Sequence, residues 1–348
     1  MIKKNIKGIS YKLPGSLTIF QEDMYIHLIN WKWNNITKEP GIYEYKKQKI
    51  EYDAILPESK WQDFPIIYPN VLSKVLLHKK KYNFKNNIHI NHMASSQIAN
   101  INLFLPILLS SNVNSIIKNI DTNNDLSLNF NRLAVHELYK GFRIEYWDGN
   151  SELQSGLLGD HSARSGTDSD IAIAFYNNEN ELCLWLVEHK LTEREFTQCG
   201  GAKSENNINK INCNKSFSDV IKNKDLCYYH NVRRCKYWDI TSANASFFVN
   251  HTSCSGCPFK GGMNQLWRNQ MLGLALENAG TYKHVYFSVV HHPRNTALNK
   301  SISNYKTLIN NNKKFSVLTS ADIINASDTC NDLVIQKWIK WYKDLYKI

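Results

Sequence analysis

The sequence predicts an α/β fold built on a mixed sheet, and two observations carry that expectation. The segment GTDSDIAIAFYNNENELCLWLVEHKLT (166–192) holds two short apolar runs separated by Asn177-Asn178-Glu179-Asn180, the pattern of a β-hairpin. Helix-like and strand-like patterns are arranged around it. A helix over 92–109 and a strand over 142–147 precede it, and a helix over 263–278 and a strand over 284–290 follow.

Residues 1–88 read as an N-terminal accessory region of short strand-like and aromatic segments. Trp31, Trp33, Tyr43, Tyr45, Tyr52, Trp61 and Tyr68 lie among lysines there, a composition that suits base stacking or an ordinary small core. His78-Lys79-Lys80-Lys81 is expected as an exposed basic patch. Residues 89–348 form the main domain. In its first helix Ser95 or Ser96 is a plausible N-cap, and Ile98, Ile101, Leu105 and Leu108 recur at helical spacing. Gln97, Asn100 and Asn102 interrupt that apolar segment and are expected to face either a site or water. The Asn- and Ser-rich stretch 111–131 reads as a loop with room for one helical turn, 132–140 as a short helix, and 148–167, with Asp160, His161 and Arg164, as a loop in which Arg164 is a candidate phosphate contact. After the hairpin a Cys-rich insertion spans about 195–260. Further helices are expected near 299–310 and from Asp332 onward, with a strand at 315–319.

The hairpin carries the chemistry. A turn centred between Asn178 and Glu179 places position 170 opposite 187, beside Glu188. Side chains alternate along a strand, so Glu188 and Lys190 share a face and His189 points away. Asp170 (or Asp168, one strand period earlier), Glu188 and Lys190 thus cluster at the open end of the hairpin. Two close carboxylates repel, and a hard cation such as Mg²⁺ (or Mn²⁺) relieves that repulsion and activates water for attack on a phosphodiester. The plainer alternative is a surface salt bridge between Glu188 and Lys190. The near-continuous apolar runs, which imply strands buried on both faces, favour a site.

The formal net charge of +11 over 348 residues points to a polyanionic partner, DNA first, although a bias toward Asn, Lys and Ile supplies part of the excess. No apolar h-region follows Met1-Ile2-Lys3-Lys4, and the longest apolar stretch, 103–109, is too short to span a bilayer. A cytoplasmic protein with no membrane association is therefore expected. Eight cysteines in a reducing compartment suit thiols or metal ligands. Cys254-Ser255-Gly256-Cys257 is a CxxC knuckle, and with Cys227 and Cys235 it offers four thiolates for a structural Zn²⁺, with Cys199, Cys213, His230 and His251 as alternative ligands. His136-Glu137 and His291-His292 lack metal-ligand spacing and read as structural.

The order helix, strand, Asp-containing strand, Glu-x-Lys strand, helix, strand resembles the αβββαβ core of the PD-(D/E)XK nuclease superfamily. The chain is similar to a group of bacterial restriction endonucleases of this superfamily in SSQIANINLF (95–104), TDSDIAI (167–173), EHKLTE (188–193), CPF (257–259) and QLWRNQ (265–270). The resemblance covers about residues 90–345. It implies a Mg²⁺-dependent endonuclease with Asp170 and Glu188 as metal ligands, Lys190 positioning water and Gln265 assisting from the following helix. The acid that some members place on the first helix is not evident, and Glu137, Glu145 or Gln97 would substitute. A homodimer is expected of a double-strand cutter. The alternatives are a non-catalytic DNA-binding protein with this fold and an RNA-directed nuclease.

Overall fold

The computed structural model describes residues 2–45, 48–84, 90–149, 155–162 and 166–348; Arg164 lies outside them. Two hairpins and a helix open the chain: β1 (Ile2–Ile6), β2 (Ile9–Leu13), α1 (Ile19–Asn35), β3 (Gly41–Tyr45) and β4 (Gln48–Tyr52). Next come α2 (Pro69–Tyr82), α3 (Ser96–Leu108), α4 (Val113–Asn123), β5 (Phe130–Leu133), β6 (Phe142–Tyr146), β7 (Ser169–Asn177) and β8 (Leu182–Lys190). Four short helices, α5 (Gly200–Lys203), α6 (Phe217–Lys222), α7 (Tyr228–Asn231) and α8 (Tyr237–Ala243), fill the cysteine-bearing segment. The chain ends with α9 (Asn264–Asn278), β9 (His284–His291), α10 (Asn299–Leu308), β10 (Phe315–Thr319), α11 (Ser320–Asp328) and α12 (Leu333–Tyr346).

One mixed sheet runs β10-β9-β8-β7-β5, with β6 also pairing with β7. The β10/β9 and β9/β8 ladders are parallel, and β7 is antiparallel to β8, β6 and β5. β5 and β6 therefore share one edge of β7, each taking about half its length. Alternation divides the residues of the central strands between two cores. Ile171, Ile173, Phe175, Trp185 and Val187 join α3, α4, α11 and α12, whereas Ala172, Ala174, Leu184 and Leu186 join α8 and α9. Both faces are covered, which is why the two runs read as almost unbroken apolar sequence.

The N-terminal residues enter the first core through Met24, Leu28 and Trp31 of α1 and Val71 and Val75 of α2. A smaller cluster of Tyr11, Leu13, Ile29, Tyr52, Ala54 and Ile55 holds the two hairpins to α1. Trp31 and Tyr68 both pack against Trp341, so those aromatics belong to a core.

Several local expectations are corrected. Residues 113–123 are helical because Ile116, Ile117 and Ile120 give the Asn-rich stretch one buried stripe. The segment expected as a short helix over 132–140 is the end of β5 followed by turns, with Leu138 and Lys140 at positive φ. His78 is not exposed: its ring is fully buried, stacks on Phe142 at 5.4 Å and meets Tyr139 edge-on at 5.3 Å, and its Nε2 accepts the Ile144 N–H at 3.0 Å. α1 begins with a capping box in which Thr18 and Gln21 satisfy each other's backbone N–H groups. Among the described residues no single helix is long and apolar enough to cross a membrane.

Candidate active site

The β7/β8 hairpin differs by one residue from the expected register. Ile171 pairs with Val187 and Tyr176 with Leu182, so the loop centres on Glu179 and closes with Asn180 at φ 60°. A one-residue slip reverses every facing. Here it puts Asp170 on the same face as Ala172, Leu186, Glu188 and Lys190, the face covered by α9.

Beyond the Ile171–Val187 pair the two strands part, and side chains take over the ladder. Ser169 Oγ donates to Val187 O at 2.9 Å and accepts the Val187 N–H at 3.0 Å. Asp170 Oδ2 accepts the His189 N–H at 2.6 Å. β8 continues against β9 as far as Lys190 opposite His291. The fork leaves polar side chains, rather than backbone, at the end of a buried strand. The opening strand is anchored from α9, where Arg268 Nε donates to Thr167 Oγ1 at 2.9 Å and Nη2 to Gly166 O at 2.6 Å.

Glu188 is the hub, with 2% of its surface exposed. Lys190 Nζ lies 2.7 Å from its Oε1. Gln265 Nε2 donates to the same oxygen at 2.7 Å, and Asn269 Nδ2 to Oε2 at 2.9 Å. Gln265 and Asn269 are one turn apart on α9, so both reach toward the strand. Lys190 loses hydration by burial, yet Glu188, Glu193 and Asp170 outweigh that loss and hold its pKa above the ordinary lysine value. His189, on the opposite face, is neutral: burial, with Lys190 beside it, lowers its pKa to about 3.

Two further residues complete the cluster. Glu145 accepts from Gln97 Nε2 at 2.8 Å. It lies between the β6/β7 pairs Ile144–Ile171 and Tyr146–Ser169, and it holds a left-handed backbone with φ 49°. A non-glycine residue seldom adopts that conformation, and such strain gathers at functional sites. Burial pushes the Glu145 carboxyl up to about 8, with Asp168 and Glu188 adding to the rise and Gln97 opposing it. Asp170 is held well above the carboxylate range by burial, then by Glu188 and Glu145. Asn100 Nδ2 donates to the Asp170 carbonyl at 3.1 Å, fixing the strand from α3.

Asp170, Glu188, Lys190, Gln265, Gln97 and Glu145 thus meet at the fork. Asp168 is engaged with His161 at 2.8 Å, and that imidazole stacks on Trp147 at 3.8 Å. Glu137 is half-buried with Tyr282 as its electrostatic neighbour, and it stays outside the cluster. Asn100, expected to face a site or water, holds the strand at the fork, whereas Asn269, Ser169 and Arg268 were not expected from the sequence. The RNQ of QLWRNQ and the serine of TDSD were the signals that contained these three.

The cysteines are all free thiols. Cys235 is buried near Asp160, Arg268 and Cys227, and Cys257 has the thiols of Cys227, Cys199 and Cys213 as neighbours. Cys254 lines a surface hollow with Cys213 and Cys257. Of the expected quartet, Cys227 thus neighbours both Cys235 and Cys257, and the alternative ligands Cys199 and Cys213 lie near Cys257 as well. Among the described residues no group of three or more His, Cys, Asp or Glu side chains is arranged to hold a metal ion.

The family model described as "Restriction Endonuclease associating with ARP" matches residues 32–347. No curated protein and no solved structure matches the chain. The match extends over most of the sequence and contains every residue of the fork, and on that ground the chain belongs to this restriction-endonuclease family.

Proposed function

We propose that this chain is a metal-dependent endonuclease that hydrolyses DNA phosphodiester bonds at the β7/β8 fork, in a restriction-type or defence role. The order α3–β6–β7–β8–α9–β9 then serves as the αβββαβ core of the PD-(D/E)XK superfamily. The observation that carries this proposal is the enclosed Glu188–Lys190 pair facing Asp170 and Glu145. Three carboxyl groups around a single ammonium are a surplus of acids over bases in a poorly hydrated place, and burial with mutual repulsion holds Glu145 and Asp170 toward their protonated forms until a cation compensates them. That surplus supports a fit to a hard divalent cation, Mg²⁺ or Mn²⁺, on Asp170 and Glu188, with Glu145 as a third oxygen donor.

A bound cation would supply Lewis-acid stabilisation of the phosphate and a more acidic water. The side chains do the remaining work. Asp170 is fixed by the His189 amide and Glu188 by the two α9 amides, so neither acid needs to reorganise when DNA binds. Lys190 keeps its proton and places an N–H donor where charge develops on the phosphate or where the attacking water must be oriented. Gln97 holds the Glu145 carboxyl. The net charge of +11 favours the approach of DNA.

The direct test is supercoiled plasmid incubated with the purified chain, with and without Mg²⁺, beside Glu188→Gln. Cleavage that needs the cation and disappears in the variant supports the assignment. Cation-independent cleavage, or an unaffected variant, would remove the fork from the mechanism.

A further inference from the structure

A cavity of about 800 Å³ opens between the N-terminal hairpins and the end of β8. Nothing in the proposed hydrolysis uses it. One side is formed by Thr192 and Glu193, the other by Ser95 and Ser96 at the start of α3. Both sides are direct continuations of the fork, since Lys190 precedes Thr192 by two residues and Gln97 follows Ser96. Three residues of chain span at most about 10 Å, one or two nucleotide steps along a strand.

The back of the cavity is aromatic. Tyr25 and Tyr52 lie nearly parallel, with centroids 6.3 Å apart and planes 14° apart. His92 meets both edge-on, at 5.3 Å from Tyr25 and 5.1 Å from Tyr52. Tyr43 lines the same space from β3. Flat π-faces that converge on a pocket suit a planar ring, and its volume lies in the range of small-ligand sites. Glu193 is held rigid because its Oε2 accepts the Leu191 and Thr192 N–H groups. It sets a carboxylate in the wall as an acceptor for an exocyclic amine.

We propose that this cavity receives a nucleobase extruded from the DNA duplex beside the cleavage site, stacked among Tyr25, Tyr43, Tyr52 and His92. The inference rests on the nuclease reading for its substrate, but binding alone tests it. Extrusion breaks pairing and stacking, and it is easiest at a mismatch. With EDTA present, the full chain should bind a duplex holding one mismatch about tenfold tighter than its fully paired twin, because part of the unpairing cost is already met at the mismatch. Tyr43→Ala, at a half-exposed position, should abolish that preference and leave binding of the paired duplex within about twofold, because phosphate contacts dominate it. Tyr52→Phe, which keeps the ring, should retain the preference.

Equal affinity for the two duplexes, or a preference untouched by Tyr43→Ala, would overturn the proposal. So would a rise in melting temperature with free nucleoside monophosphates without any mismatch preference, which would assign the cavity to a soluble nucleotide. A mismatch preference that persists while Glu188→Gln cleaves like wild type would refute the catalytic assignment and leave the pocket standing. Loss of cleavage in Glu188→Gln without mismatch preference would do the reverse.

Discussion

Lys190 and Glu188, two residues apart on β8, meet at 2.7 Å with both side chains almost sealed from water. A pair in such a place is asymmetric in its consequences. Removing one partner strands the other as an uncompensated buried charge, at a cost of about 3–5 kcal/mol, whereas removing both is far milder. Glu188→Gln and Lys190→Met should each lower the denaturation midpoint, and the double variant should be more stable than the sum of the two losses. All three should lose cleavage by roughly two to three orders of magnitude, the scale of losing one preorganised electrostatic group. Chemical denaturation and plasmid cleavage measured on the same four proteins check this. Strictly additive stability losses would show that the pair is solvated.

At Glu145 fold stability and the proposed cation binding pull in opposite directions. Its φ of 49° and the burial of its carboxyl both disfavour the folded state. Glu145→Gly removes the left-handed strain and should raise stability by about 1 kcal/mol. The same change deletes an oxygen donor from the fork, so cleavage should fall and the stabilisation by added Mg²⁺ should shrink. Thermal melts with and without Mg²⁺ separate the two effects. A variant less stable than wild type would mean that the carboxylate contributes more than the backbone strain costs.

How far the sequence reached is best judged at the fork. Its apolar runs and charged ends located β7 and β8, because burial on both faces leaves a plain compositional trace. The register was missed by one residue: a loop of Asn178, Glu179 and Asn180 and a two-residue loop give similar sequence signals, and only the left-handed Asn180 distinguishes them. The Gln97–Glu145 bond, between residues 48 apart, and the tie from Arg268 to Thr167, 101 apart, depend on tertiary packing that no local pattern encodes. α4 was hidden by its Asn and Ser content, and the burial of His78 by the three lysines that follow it. Among the cysteines the CxxC spacing marked Cys257, and only tertiary packing brings Cys227, Cys199 and Cys213 beside it.

Gln265 and Asn269 grip the two oxygens of Glu188 from one face of α9. They orient the acid without changing its charge. Gln265→Ala should therefore reduce cleavage by about ten- to a hundredfold while DNA binding is kept, because a hydrogen bond to a charged carboxylate contributes about 1.5–3 kcal/mol. Asn269→Ala, at a position with 1% exposure, should add a stability loss of about 1–3 kcal/mol from the unsatisfied buried oxygen. Binding by anisotropy and cleavage at saturating enzyme distinguish positioning from binding. Weaker DNA binding in Gln265→Ala with unchanged turnover would place that glutamine on the substrate instead.

His78 sets an acid limit on the fold. Burial lowers its pKa from 6.5 to about 3, with Arg143 and Lys81 adding to the shift, and its Nε2 must stay unprotonated to accept from Ile144. The unfolded chain takes up this proton near its ordinary value, but the folded chain resists until about pH 3. Between those values the unfolded state binds more protons, so stability rises with pH across the window and is lost as pH falls through it. At about 1.4 kcal/mol per unit the full effect reaches a few kcal/mol. His78→Phe should be less stable than wild type at pH 7, because the Ile144 N–H loses its acceptor, but its stability should change less between pH 6.5 and pH 4. Denaturant midpoints for both proteins across that range decide the matter, and parallel curves would show that His78 titrates normally in the fold.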